Sequence, residues 1–260
     1  MSIKGKVAWI TASGGGIAEH IAMLFAKEGA KLVLCDINKE GLDKVAAACI
    51  SLGAEVLAVP YDAGSIEDTD NVFKQAISRF GTIDILVNNV GIAGPTDPIE
   101  NMSVADWDDT MAVNLRSCFY CTKLVVPGMI KNGGGKIVNI GSIAGKRPHP
   151  NRSAYSTSKM GMIGFTRTAA DELGKHEITV NLVCPGPVIG PRIEFAYRNR
   201  AKAKGITYEE LLVRENEGRA LKRMVPPEDI ASMVLFLSDA EKSNSITGQD
   251  YNVNCGATYD

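Results

Sequence analysis

The chain has 260 residues, 45% of them apolar and 22% charged, with a formal net charge of −2. That is enough chain to bury a substantial core within one domain, and no low-complexity run divides it. So balanced a charge excludes a general nucleic-acid or membrane-surface role, and the absence of a basic-plus-apolar leader predicts a chain that is neither secreted nor membrane-spanning.

In chain order, the first predicted element is the strand KVAWI (6–10), which runs into TASGGGIAEH at Thr11–His20. A strand, a glycine-rich turn and a helix over 16–28 would present backbone N–H groups to a pyrophosphate at the helix N-terminus. Ser13, Gly14, Gly15 and Gly16 supply the turn and Ile17 opens the helix. Ala12 and Ala18 stand where a strict dinucleotide fingerprint has glycine, a change that ordinary backbone angles would tolerate. The next strand, KLVLC (31–35), ends at Asp36, twenty residues after Gly16. A carboxylate there accepts from the adenosine ribose hydroxyls and repels a 2′-phosphate, and no arginine or lysine occupies Ser13 to Gly15. Loop and acid together point to a dinucleotide, NAD over NADP.

Strands follow at EVLAV (55–59), DILV (84–87), KIVNI (136–140), ITVNLV (178–183) and DYNV (250–253). Helical periodicity fills 39–52, 65–80, 104–131, 153–174 and 227–237 between them. The first six strands are nearly unbroken apolar runs, as in strands covered on both faces. The fold expected is α/β, a single-domain, Rossmann-type doubly wound parallel sheet of about seven strands with helices on both faces. Ligands of such sheets bind at the carboxyl ends of the strands.

Cys118 and Cys121 form a C-x-x-C deep inside a predicted helix rather than at its start, so they read as core thiols. With Cys35, Cys49, Cys184 and Cys255 they are expected free, in the reducing cytoplasm. The three histidines, His20, His149 and His176, are scattered and suggest no metal site.

Just beyond KIVNI, at the ligand edge, stands Ser142, and SAYSTSKMG places Tyr155 and Lys159 four apart on one face of a helix. A neighbouring ammonium favours the anion of a phenol, and a phenol so placed can exchange a proton with an alcohol while a nicotinamide gives or takes hydride. From Gly190 to about Arg219 the sequence turns charged, with helical potential and no strand. Its position after the sixth strand suits a lid over a substrate.

These residues resemble the short-chain dehydrogenase/reductase family over nearly the whole chain. The resemblance rests on Thr11–Ala18, Asp36, Asp62, NNVG at 88–91, Asn114, Ser142, Tyr155, Lys159 and PGPV at 185–188. It implies that Asp62, with Ile37 and Ala63, lines the adenine side, and that Asn88, Asn89 and Gly91 brace the sheet and adenosine pocket. Asn114 would hold a water in a proton relay, while Pro185, Gly186 and Val188 would meet the nicotinamide. Ser142 would position the substrate oxygen, Tyr155 would act as acid or base, and Lys159 would hold the nicotinamide ribose and assist the tyrosine. Gly190 falls where many members carry a threonine. The implied protein is a homotetramer with the two long helices, 104–131 and 153–174, as dimer faces.

The activity expected is NAD(H)-dependent interconversion of a secondary alcohol and a ketone, with a small-molecule substrate and no nucleic-acid or membrane partner. Two alternatives share the residues: an NADPH-dependent 3-oxoacyl-type ketoreductase, which Asp36 weighs against, and a dinucleotide sensor without catalysis, which has no need of Tyr155. Lys146, Arg147, His149 and Arg152, then Arg192, Arg198 and Arg200, flank the expected pocket. Arg152 and Arg192 are the candidates to contact an anionic or polyhydroxylated substrate.

Overall fold

The computed structural model describes residues 3–259. Seven strands form one sheet: β1 (Val7–Thr11), β2 (Lys31–Asp36), β3 (Val56–Pro60), β4 (Ile85–Asn88), β5 (Gly135–Ile140), β6 (Ile178–Pro185) and β7 (Asp250–Val253). Their order is β3-β2-β1-β4-β5-β6-β7, and every pairing is parallel. The chain winds outward from β1 to β3, crosses back to β4 beside β1, then winds the other way. That reversal opens a crevice at the carboxyl ends of β1 and β4.

Alternation along each strand sends successive side chains to opposite faces and so to two cores. Ala8, Ile10, Leu32 and Leu34 pack with Phe25 of α1 (Gly16–Lys27), Leu42 of α2 (Lys39–Ser51) and Val234 of α9 (Pro227–Ser238). Val7, Trp9, Val33 and Cys35 pack on the other face with Val72 of α3 (Ile66–Phe80), Val125 of α5 (Ser117–Lys131) and Ala169 of α6 (Ser153–Gly174). Both faces are covered, which is why the strands read as apolar runs.

The helix expected over 104–131 is divided. α4 (Val104–Met111) passes through a π-turn at Ala112–Arg116 before α5 begins. Within the turn the Ser117 N–H donates to the Ala112 carbonyl, and the Ser117 hydroxyl donates to the Val113 carbonyl at 2.5 Å. Single π-turns of this kind recur at functional sites.

The segment at 190–219 folds as two helices, α7 (Pro191–Lys204) and α8 (Tyr208–Glu217). Gly205, at φ 65°, reverses the chain, and Thr207 with Glu210 forms a capping box that starts α8. The pair has a small core of its own, Tyr197, Ala201 and Leu211, and the buried Arg219 donates to the Tyr197 hydroxyl at 3.0 Å. A short helix α10 (Ala240–Ser243) precedes β7. Among the described residues no helix is long and apolar enough to cross a membrane.

Candidate functional site

The carboxyl ends of β1, β2 and β4 are spliced by hydroxyls. Thr11 Oγ1 donates to the Val87 carbonyl at 3.3 Å and accepts from the N–H groups of Asn89 and Val90 at 3.0 and 3.3 Å. Ser13 is fully buried, its hydroxyl donating to the Ile10 carbonyl at 2.7 Å and accepting from the Cys35 N–H at 3.0 Å. Its own N–H donates to the Cys35 carbonyl. The hydroxyl and amide of Ser13 therefore hold the strands together, and the open part of the turn is Gly15 and Gly16.

Ala12 departs from the expected ordinary backbone: its φ is +53°, the left-handed region that glycine occupies without cost. The conformation is over-determined by its surroundings, since Asn89 Nδ2 donates to the carbonyls of both Thr11 and Ala12 at 3.3 and 3.2 Å. Ala18 is the easier departure, its methyl fully buried in the core between α1 and the sheet.

α1 begins at Gly16 with Gly15 as its cap and no side chain satisfying its first amides. A β-carbon built on Gly15 or Gly16 would meet nothing within 4 Å, so the space over the helix N-terminus is open. Unfilled amide donors, a positive dipole end and free volume are the requirements of a pyrophosphate cradle, and the residues present meet them.

Asp36 closes the loop's other side. Its Oδ2 accepts from the Gly14 N–H at 2.8 Å and its Oδ1 from the Asn38 N–H at 2.7 Å. Gly41, in the first turn of α2, abuts the Gly14 carbonyl with no room for a β-carbon. Ile37 is 75% exposed on the lip beside Asp36, where it can lie against a flat ring. Asp62 is also exposed, its Oδ1 accepting from the Gly64 N–H at 2.8 Å, with Ala63 half-buried between them. At β4, Asn88 Nδ2 donates to Asn139 Oδ1 of β5 at 2.9 Å, bracing neighbouring strands beneath the cleft.

The second half of the crevice brings Lys159, Tyr155, Asn114 and Gly91 together, and the turn that Ser142 opens rests on the same helix as Tyr155 and Lys159. Lys159, 3% exposed, donates from Nζ to the Ile140 carbonyl at 3.0 Å, and its Nζ lies 6.0 Å from the centre of the Tyr155 ring. Burial holds this ammonium below the ordinary lysine range, and the Tyr155 phenol partly offsets that. A β-carbon on Gly91 would lie 3.3 Å from Lys159 Nζ and 3.7 Å from Asn114 Oδ1, so glycine keeps the ammonium's access to the cleft. The Asn114 amide is fully used: Oδ1 accepts from the Ile92 N–H at 2.8 Å, while Nδ2 donates to the Ile92 carbonyl and to Ser158 Oγ at 3.0 and 3.1 Å. A relay through this residue would therefore run through its main chain.

Ser142 follows β5 and opens a 3₁₀ turn (Ile143–Gly145), its Oγ accepting from the Ala144 N–H at 3.1 Å. Two contacts that sequence reasoning missed fix this turn. Gly145 packs against the backbone of Lys159 and Met160. Lys146 Nζ, nearly buried, donates to Asp250 Oδ1 of β7 at 2.6 Å, and Arg167 of α6 takes Asp250 Oδ2 at 2.7 Å. Lys146 was visible only as one of several basic residues, and nothing marked Asp250 as its partner.

Pro185 ends β6, and Val188 lies at an isolated parallel bridge with Val225. Gly186 packs so closely on Asn254 that a β-carbon would stand 2.9 Å from its Cα. Gly190 forms the N-cap of α7. Arg152 Nη1 donates to the Ala93 carbonyl at 3.0 Å, and Arg192 Nη1 to the Gly91 carbonyl at 3.3 Å.

All six cysteines are free and buried. Burial pushes the Cys35 and Cys118 thiols up to about 12, and the Cys121 thiol is also raised, as for thiols packed in an apolar core. No group of three or more potential metal ligands occurs among the described residues.

Comparison with known proteins agrees with this geometry. A family model described as enoyl-(acyl carrier protein) reductase matches residues 11–258. The chain is 36% identical over 256 residues to the 3-oxoacyl-[acyl-carrier-protein] reductase of Thermotoga maritima, covering 98% of this chain and 99% of that one. Among solved structures, L-sorbose reductase from Gluconobacter frateurii, complexed with NADPH and L-sorbose, superposes with TM-score 0.94 at 32% identity, covering 100% of both chains. NAD⁺-bound xylitol dehydrogenase superposes with TM-score 0.92 at 30% identity, covering 98% of this chain and 100% of that one. An uncapped glycine loop at the sheet's reversal, with a tyrosine over a buried lysine across the crevice, and likeness along the whole chain, lead to one conclusion: the chain belongs to the short-chain dehydrogenase/reductase family of nicotinamide-dependent oxidoreductases.

Proposed function

We propose that this protein interconverts a secondary alcohol and a ketone with NAD(H), Tyr155 exchanging the proton. The observation that carries the reading is the buried Lys159 ammonium, held by the Ile140 carbonyl, beside the Tyr155 ring and under the glycine at position 91. A desolvated ammonium costs stability, and it persists here where its charge serves a phenol in a cleft.

The cofactor, when bound, supplies a hydride acceptor or donor. The amides at the start of α1, from Gly15 to Ile17, hold its pyrophosphate; Gly14, whose amide Asp36 takes, shapes the loop, and Ser13 contributes by fixing the strands beneath. Asp36 receives the adenosine ribose hydroxyls, and Ile37, Asp62, Ala63 and Asn89 line the adenosine side. Gly91, Pro185, Gly186 and Val188 line the nicotinamide side, and Lys159 bonds its ribose. In the oxidative direction Ser142 orients the substrate hydroxyl by hydrogen bonding and Tyr155 takes its proton; in reduction Tyr155 returns the proton to the carbonyl oxygen. α7 and α8 cover the substrate as a lid.

The preference for NAD over NADP rests on Asp36, whose carboxylate opposes a 2′-phosphate. The same reading makes the protein a cytoplasmic homotetramer. Exposed Phe119, Ile130 and Met160 on α5 and α6 give apolar surface to the expected dimer face.

Tyr155→Phe keeps the ring and removes the hydroxyl. NADH binding, followed by fluorescence, should persist while turnover of secondary alcohols falls by roughly 10²–10⁴. Near-normal turnover in that variant overturns the reading. Light scattering decides the assembly, and a strict monomer overturns that part.

A further inference from the structure

The basic residues that flank the catalytic mouth separate by partner. Lys146 pairs with Asp250, Arg198 with Glu194 at 2.6 Å and Arg200 with Glu215 at 2.7 Å. Arg147 donates to the Ala257 carbonyl. Arg152 and Arg192 face no carboxylate among the described residues; each spends one nitrogen on a backbone carbonyl, at Ala93 and Gly91. Those carbonyls lie two residues apart on the segment that leaves β4, and Gly91 is also the neighbour of Lys159 Nζ.

Two guanidiniums therefore reach the same edge of the crevice from different elements. Arg152 comes from the N-cap of α6, three residues before Tyr155, and Arg192 from the first turn of α7. Arg192 is close enough to add to the forces that lower Lys159. Three residues before Arg152, His149 buries its Nε2 with no hydrogen-bond partner. Burial, and then the charges of Arg147, Arg152 and Arg200, hold that ring's pKa below the ordinary histidine range. Accumulated positive charge without a protein counter-charge, beside an unpartnered buried nitrogen, is unfavourable unless a ligand brings the anion.

We propose that this mouth is a carboxylate site, and that the substrate is a small secondary alcohol or ketone carrying a carboxylate. The remaining N–H groups of Arg152 and Arg192 hold its two oxygens. Held at the acid end, the carbinol is oriented toward Ser142 and Tyr155, and the carboxylate is unchanged by the oxidation. The inference rests on the dehydrogenase reading above.

The test measures kcat/KM with NAD for straight-chain hydroxy acids bearing the carbinol at carbon 2, 3 or 4, each beside its methyl ester, which keeps the shape and removes the charge. At least one acid should exceed its ester tenfold or more, and should raise the melting temperature of the NADH-loaded protein where the ester does not. In Arg152→Met and Arg192→Met the acid-to-ester ratio should fall at least tenfold, chiefly through KM. Esters or neutral alcohols turned over as well as the acids, or a ratio unmoved in both variants, overturn the carboxylate site and leave the dehydrogenase reading standing. Tyr155→Phe separates the two: if the turnover measured does not depend on the tyrosine hydroxyl, the dehydrogenase reading itself has failed.

Discussion

Gly145 rests on the peptide of Lys159, so closely that a β-carbon there would stand 2.7 Å from the lysine carbonyl carbon. The turn that begins at Ser142 is thereby seated on the helix that carries Tyr155 and Lys159. On its other side the Lys146–Asp250–Arg167 clasp ties the turn to β7 and back to α6. The serine and the tyrosine are spaced by these contacts, not by any bond between them.

Opening that clasp should therefore cost catalysis before it costs cofactor binding. Lys146→Met is expected to lower kcat about tenfold, to leave NADH affinity nearly unchanged, and to be recovered by Lys146→Arg. With Asp250→Asn it should show a coupling of about 1–3 kcal/mol in a double-mutant cycle, as for partners in one buried network. Equal losses of kcat and NADH affinity would reduce the clasp to general stability.

Asp36 has two duties. It holds the Gly14 and Asn38 amides, and in the proposed function it also presents acceptors to a ribose. Asp36→Ala should weaken NADH binding and relax discrimination against NADPH by about 1–3 kcal/mol. Part of the loss should appear with both cofactors, because the loop loosens as well. Fluorescence titrations with NADH and NADPH check this, and a wild-type protein that already prefers NADPH overturns the role given to this acid.

The left-handed Ala12 predicts a gain rather than a loss. Ala12→Gly relieves a conformation that costs an L-residue about 1 kcal/mol, so the melting temperature should rise by about 2–4 °C. A fall would mean that the methyl's packing outweighs the strain.

Lys159 carries a pH signature. Its folded value lies below the 10.5 of an ordinary lysine, so between the two the unfolded chain binds more protons than the folded one. Stability from this group therefore rises with pH through that window. Lys159→Met lacks the linkage while sharing the other titrating groups. Melting curves from pH 7 to 10 should show the wild type gaining on the variant as pH rises, and a difference independent of pH would contradict the burial.

Much of this was legible in the residues. Strand runs such as KLVLC gave the parallel sheet, because burial on both faces leaves no polar alternation to hide. Tyr155 and Lys159 were visible because a helix converts a spacing of four into a shared face. The π-turn was not, since one extra residue in a single turn leaves the apolar periodicity on either side still helical. Nor was Ser13's burial, because a serine in a glycine loop reads the same whether it faces a ligand or its own strands. The clasp joins residues 104 positions apart, beyond the reach of any spacing argument.

The contact between Gly41 and Gly14 has its own mechanical consequence. With glycine touching carbonyl and no side chain between, the phosphate-facing loop and the first turn of α2 have no compliant layer separating them. A shift of the loop on cofactor arrival must be transmitted to α2 as displacement, not absorbed as a change of rotamer. Any larger residue at position 41 would have to push the loop and the first turn of α2 apart.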